Sequence, residues 1–321
     1  MSKPKILNRR RLLSATAIGM GSLAAPGILR AARAQAAKSI HIGYQKYGTL
    51  IVLKERGTLE KALAPKGVDV SWSLFAAGPP LLEAMNAGAI DFGTTGETPP
   101  IFAQAGHVDL VYLANDPPAP RGEAILVPPN SPIKTVAALK GRKVAVTKGS
   151  NAHYLLVAAL LQAGLTVSDI TFVFLAPPDG RAAFQFGSVD AWAIWDPFFA
   201  AAQQEGAKVL TDGQGIVPNH QFFLAARKFA DANPEVIRTT LGVLAGAETW
   251  MAQNPQDAAT QLAPGVGIPA SILTVALSRQ PVGVTALTPA VMAQQQQIAD
   301  TFFKLGLIPG AVDVSSAAWK G

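Results

Sequence analysis

Residues 86–96 read NAGAIDFGTTG and residues 185–195 read QFGSVDAWAIW. Both carry Gly-x-[Ile/Val]-Asp directly after an amphipathic run, and the two aspartates, Asp91 and Asp190, lie 99 positions apart. A helix-to-strand turn can recur without meaning. The same echo also fits two similar α/β lobes, each presenting a loop to a shared crevice. The flanking sequence is consistent with that second reading.

Ser39–Tyr44 (SIHIGY) alternates like a strand, and Leu50–Leu63 has helical spacing. Val68–Phe75 is a strand, Pro80–Ala87 a short amphipathic helix, and Ala89–Gly93 a strand. A second block begins at Glu123 and ends near Val209. EAILVPP, RKVAVTKGS, DITFVFLA and VDAWAIW are its strands; PIKTVAALKG, NAHYLLVAALLQAGL and GRAAFQFG are its helices. Alternation of this kind predicts an α/β layer architecture. After Asn233 the pattern is mostly helical to about Leu305. Pro/Gly-rich stretches at 116–122 and 212–218 mark where the chain crosses between lobes. One lobe is then 38–120 with 222–321, the other 123–215, and the crossovers form a hinge.

Helix starts share one device, a capping residue followed by proline: Thr98-Pro99, Ser131-Pro132, Asn233-Pro234, Asn254-Pro255 and Thr288-Pro289.

Two loops carry the chemistry. Thr94, Thr95, Gly96 and Glu97 lie between a strand's end and a helix start, and so do Lys148, Gly149, Ser150 and Asn151. Open α/β sheets place ligands at that edge. A helix N-terminus offers free N–H groups and a partial positive charge to an anion. Each loop alone also reads as an ordinary turn; the pair, one per lobe, could grip a tetrahedral anion. The expectation is that the Thr95 and Ser150 hydroxyls donate to one head group. Trp192 and Trp195 alternate on their strand, so only one need face the crevice.

Several classes are excluded or disfavoured. The net charge is +6, but residues 1–34 hold seven Lys or Arg and no acid, which leaves 20 basic against 21 acidic residues in the body. Nothing there predicts a nucleic-acid partner. There is no cysteine, hence no disulfide, thiol nucleophile or Cys-based metal site. His41, His107, His153 and His220 are scattered, without metal-ligand spacing. No metal and no cofactor is expected. Asn8-Arg9-Arg10-Arg11 opens a weakly apolar stretch that ends at Ala32-Arg33-Ala34. This predicts a twin-arginine-like signal peptide over 1–34, cleaved near Ala34, and an exported protein.

IGYQK (42–46), AGPPLLEAMNAGAIDFGTTGETPPIFAQAG (77–106), NSPIKTVAALKGRKVAVTKGSNAHYLL (130–156) and VDAWAIWDPF (189–198) together resemble the aliphatic sulfonate-binding proteins. Those are periplasmic components of ABC importers, related to taurine- and nitrate-binding proteins. The resemblance implies a type II periplasmic-binding fold, two α/β lobes that close on a small organosulfonate. It implies a monomer that delivers its ligand to a membrane permease, and no catalysis. It nominates Gln45, Thr95, Gly96, Glu97, Ser150, Asn151, His153, Trp192 and Asp196 as ligand-binding. The same fold hosts a desulfinase-type enzyme, but that chemistry uses a cysteine. Nitrate, taurine, a thiamine precursor or an aromatic acid are the other ligands such a fold could hold.

Overall fold

The computed structural model describes residues 37–46 and 48–321. Residues 1–34, read above as a signal peptide cleaved near Ala34, lie outside the described residues. The strands are β1 (Ser39–Tyr44), β2 (Asp69–Leu74), β3 (Phe92–Gly96), β4 (Leu110–Asn115), β5 (Glu123–Val127), β6 (Lys143–Val146), β7 (Thr171–Phe174), β8 (Ala191–Trp195), β9 (Lys208–Asp212) and β10 (Gln221–Ala226). They form two five-stranded sheets, ordered β2-β1-β3-β10-β4 and β7-β6-β8-β5-β9. In each sheet the first three strands are parallel and the fourth, β10 or β5, runs antiparallel between its neighbours. The two orders are the same pattern.

The echo seen in the sequence has one physical job in both lobes. Asp91, just before β3, accepts the His41 N–H at 2.9 Å and donates its own N–H to the His41 carbonyl. Asp190, just before β8, does the same with Lys143, its Oδ2 at 2.8 Å from the Lys143 N–H. Each aspartate staples the start of a central strand to its parallel neighbour. The short side chain reaches the backbone N–H directly beside it, which fixes the register where the helix hands over to the strand; Asp91 also meets His41 Nδ1 at 3.0 Å and Asp190 pairs with Arg142 at 3.6 Å.

The helices are α1 (Thr49–Arg56), α2 (Thr58–Leu63), α3 (Gly78–Asn86), α4 (Thr98–Ala105), α5 (Asn151–Gln162), α6 (Pro177–Gln185), α7 (Phe198–Gln204), α8 (Arg227–Ala232), α9 (Pro234–Gln253), α10 (Pro255–Val266), α11 (Ala270–Ser278) and α12 (Pro289–Lys304). Apolar side chains fill the layers between helices and sheets. Phe92, Val111 and Phe223 back one face of the first sheet, Tyr112 and Phe222 the other. Ile125, Val144 and Leu156 do so in the second. Among the described residues no single helix is long and apolar enough to cross a membrane.

Four local expectations are corrected. The helix read over Leu50–Leu63 is two helices, because Gly57 takes φ 57° between them. PIKTVAALKG forms only a short 3-10 turn, Val136–Leu139. Its buried residues, Ile133 and Leu139, are six apart, which is no helical face. Ser131 accordingly caps no helix; its hydroxyl accepts the Ile133 N–H in a local turn. Asn233 and Asn254 precede helices but cap nothing with their side chains, which instead donate back to Phe229 and Trp250 carbonyls of the preceding helices. Thr288 does cap, accepting the Val291 N–H at 3.2 Å. Finally, the segment Phe92–Gly96 is a strand, four of its five residues buried, and not a strand end followed by a loop. It pairs with β10 along its whole length, Phe222 opposite Thr95 and Gln221 opposite Gly96.

Candidate functional site

Three helices begin at one place. α3 starts at Gly78, α4 at Thr98 and α5 at Asn151. Between them is a narrow pocket of about 30 Å³, lined by Gly78, Gly96, Ser150, Asn151, Asn219 and Gln221 and closed by Gln45, Pro99 and Trp195. The first turn of a helix leaves N–H groups without partners inside it. Prolines thin those donors out: Pro79 and Pro80 follow Gly78, and Pro99 and Pro100 follow Thr98. The first turn of α3 is left with the Gly78 N–H. The three helix dipoles add positive potential at this point. Among the described residues no lysine or arginine lines this pocket.

Close approach of backbones requires the glycines. A Cβ on Gly96 would stand 2.1 Å from the Asn151 Oδ1, and one on Gly78 would stand 2.6 Å from Pro99. Asn151 reaches from the second lobe into the first. Its Oδ1 accepts the Thr98 N–H at 3.1 Å. Its Nδ2 donates to Asn219 Oδ1 at 2.6 Å and to the His220 carbonyl at 3.3 Å. Asn219 holds φ 54° and sits on the returning crossover. It also donates to the Ala119 carbonyl on the outgoing crossover. The amide of Gln45 donates to the Thr94 carbonyl at 3.1 Å.

The two hydroxyls expected to hold the anion are engaged elsewhere. The Ser150 hydroxyl donates to the Thr147 carbonyl at 2.7 Å and accepts the His153 N–H, capping α5. The Thr95 hydroxyl donates to the Gly96 carbonyl at 3.0 Å, fully buried.

Glu97 is not open to the pocket. Its carboxylate accepts the His220 N–H at 2.7 Å and the Asn219 N–H at 3.2 Å, pinning the second crossover to the start of α4. Burial pushes its carboxyl up to about 8, against the pull of those two N–H donors. His153 is packed among Phe102, Phe172, Phe174 and Phe302. Its Nδ1 accepts the Gly149 N–H at 3.2 Å, and burial, helped by nearby Lys148, lowers it to about 4. It is a neutral core histidine beneath the Lys148-Gly149-Ser150 turn. Asp196 is buried at the start of α7, where it accepts the Ala200 N–H at 2.9 Å and meets Arg279 at 3.4 Å. Trp192 is 1% exposed, against Phe184 in the core of the second lobe. The strand's alternation sends the other tryptophan, Trp195, to the pocket. Of the nominated residues, the structure therefore brings Gln45, Gly96, Ser150 and Asn151 to the cavity wall. Thr95, Glu97, His153, Trp192 and Asp196 do not line it.

Gln45 and Trp195 also line a second cavity, a chamber of about 410 Å³. Its walls include Leu74, Phe75, Phe198, Val266 and Ile268. Two cations stand in it, Lys46 from the first lobe and Arg181 from the second. Sequence reasoning missed Gly78, Asn219 and Gln221 as well as this chamber. Gly78 had one visible signal, a glycine directly ahead of Pro-Pro at a helix start. Among the described residues no group of three or more His, Asp or Glu could hold a metal ion.

Residues 33–266 match the profile of the NMT1-like family. A protein of Escherichia coli named for aliphatic sulfonate binding is 45% identical over 285 residues, covering 88% of this chain and 89% of that protein. The alkanesulfonate-binding protein of Xanthomonas axonopodis pv. citri, solved with MOPS, superposes with TM-score 0.86 at 39% identity, covering 89% of this chain and all of that one. The periplasmic aliphatic sulphonate binding protein of E. coli does so with TM-score 0.81 at 44% identity, covering 89% and 93%. The chain therefore belongs to the NMT1-like family, alongside the aliphatic sulfonate-binding proteins.

Proposed function

We propose that this protein is an exported solute-binding protein that captures alkanesulfonates and hands them to the permease of an ABC importer. One observation carries the reading: a pocket at three helix N-termini, without a fixed cation, shares Gln45 and Trp195 with a largely apolar chamber. A sulfonate carries a single negative charge at any ordinary pH and spreads it over three oxygens. Helix ends and amide side chains suffice for one such charge. A nitrate ion would leave the chamber unused. The chamber's size suits an alkyl or small cyclic tail.

Capture requires access. The outgoing and returning crossovers lie side by side, joined by the Asn219 side chain and by the Ala119 N–H on the Pro218 carbonyl at 3.0 Å. Rotation about these two strands of chain would open and close the cleft. The reading names no reaction, and none of the relatives above is named as an enzyme.

The test is a melt with a ligand panel. Ligand that binds only the folded protein raises Tm by mass action. Alkanesulfonates of about two to eight carbons are expected to raise it, while nitrate and alkanecarboxylates at equal concentration leave it unmoved. A shift with nitrate and none with any sulfonate overturns the proposal.

A further inference from the structure

Among the described residues, neither the inner pocket nor the chamber is lined by an aspartate or glutamate. Two carboxylates that could have met a cationic tail are spent. Glu97 faces the Asn219 and His220 N–H groups, and Asp196 faces Ala200 and Arg279. A ligand ending in an ammonium group would find no counter-charge. The chamber has the opposite character, with one cation on each side of the cleft. Lys46 donates one hydrogen bond to the Val266 carbonyl at 3.0 Å and forms no ion pair among the described residues. Its ammonium has three donors, so two remain for another acceptor. Arg181 is paired with Glu205 through Nη2, and Gln185 shares that carboxylate. Glu205 itself does not line the chamber. Arg181 Nε is buried and has no partner.

The cations are also placed apart from the head-group site. They stand in the chamber, and the inner pocket contains neither of them. A single head group held at the helix ends leaves them unused. They come from different lobes, so a ligand that engages both ties the lobes together at a second point.

We infer that the preferred ligands are sulfonates whose tail ends in a second acceptor, a carboxylate above all, with Lys46 and Arg181 receiving that end. This rests on the reading of the inner pocket as the sulfonate site. The chamber walls, Phe75, Trp195 and Ile268 among them, enclose the connecting methylenes. The inner pocket sets the charge type of one end, and the cation pair sets the other. Terminal ammonium is disfavoured by the same pair through like-charge repulsion.

Calorimetric titration of the mature protein tests this with three matched series, each with about two to five methylenes. They are ω-sulfocarboxylates, alkanesulfonates of equal heavy-atom count, and ω-aminoalkanesulfonates. The best sulfocarboxylate is expected to bind about tenfold tighter than its alkane counterpart, near the worth of one charge-assisted hydrogen bond open to some water. The aminoalkanesulfonate is expected to bind more weakly than the alkane. The advantage of the carboxylate, taken as a ratio within each protein, should fall to about threefold or less in Lys46→Gln and in Arg181→Gln. It should also shrink as salt is raised. If alkanesulfonates bind and the carboxylate gains nothing at any length, the inference is overturned while the sulfonate site stands. If the gain persists undiminished in both variants, the cations are not its receptor and the inference is likewise overturned. If no member of any series binds, the sulfonate site itself is wrong and the inference goes with it.

Discussion

The side chains of Asn151 and Asn219 meet at 2.6 Å, joining the first residue of a second-lobe helix to the crossover that returns to the first lobe. The same Asn151 carboxamide holds the Thr98 N–H at the start of α4. The inner pocket and the two crossovers are therefore one hydrogen-bonded unit. An anion that settles among the three helix ends touches the residue that links the lobes.

Gly96→Ala should break that unit. The added methyl would lie 2.1–2.3 Å from the carboxamide atoms of Asn151, which must leave both Thr98 and Asn219. Affinity for an alkanesulfonate is expected to fall at least about thirtyfold, more than 2 kcal/mol. Titration of the variant beside its parent checks this; affinity within threefold would mean that Asn151 is free to move aside.

Thr95→Val and Ser150→Ala are expected to act on stability more than on binding. Both hydroxyl protons are already donated, to Gly96 and Thr147 carbonyls. Ser150→Ala removes a helix cap and should cost about 1 kcal/mol of the empty protein's stability. Affinity in both variants should stay within about fivefold, the anion being held by backbone N–H groups and amide side chains. A loss of tenfold or more in either would restore its hydroxyl as a ligand donor.

The two tryptophans of β8 should separate cleanly. Trp192→Ala empties a packed site beside Phe184 and is expected to destabilise by about 3–5 kcal/mol. Trp195→Ala should leave the fold nearly as stable but weaken long-tailed sulfonates more than short ones, since Trp195 lines both pocket and chamber. Melts and a chain-length series distinguish them. Equal loss for ethanesulfonate and hexanesulfonate would remove Trp195 from the tail's path.

Glu123 gives a prediction in pH. Both its oxygens are buried without a hydrogen bond, and burial, then the neighbouring Glu97 charge, raises its carboxyl well above the ordinary value of 4.5. The folded state therefore holds a proton that the unfolded chain releases as pH rises above about 4.5. The stability this proton supplies is complete below that pH and is lost on the way up. Glu97, at about 8, and Asp116, raised first by burial and then by Glu248, have the same sign. Stability should fall from pH 5 to pH 8. Glu123→Gln keeps the shape without the charge, so its stability relative to the parent should improve by about 1–3 kcal/mol over that range. Urea unfolding at the two pH values measures it; a difference that stays constant with pH would mean that Glu123 does not titrate there.

The two-lobe plan was legible because its signature is local: Asp91 and Asp190 each bond to an adjacent strand, and the Gly-x-[Ile/Val]-Asp pattern records that twice. β3 was legible only at its start: the strand read over Ala89–Gly93 overlaps Phe92–Gly96 at Phe92 and Gly93 alone. Gly93 is required by Leu81 and the Gly43 carbonyl, and Gly96 by Asn151, all distant in sequence, so a sequence of small residues read as a turn. The helix-end loops were found, since a strand followed by a capped start is a short-range pattern. The roles of Glu97, His153 and Asp196 were not, because burial decides them and burial is a tertiary property. Alternation identified two possible faces for Trp192 and Trp195 without saying which sheet face the cleft would use.

The shared strand order has a consequence for synthesis. The second sheet, β5 to β9, is built from one continuous segment, Glu123 to Asp212. The first is not: β10 is the only strand that joins β3 to β4, and it ends at Ala226. As the chain is made from its N-terminus, β2-β1-β3 and β4 are complete long before the strand that unites them exists. Two strand edges stay unpaired through the whole translation of the other lobe. The lobe that begins first is thus the one that finishes last.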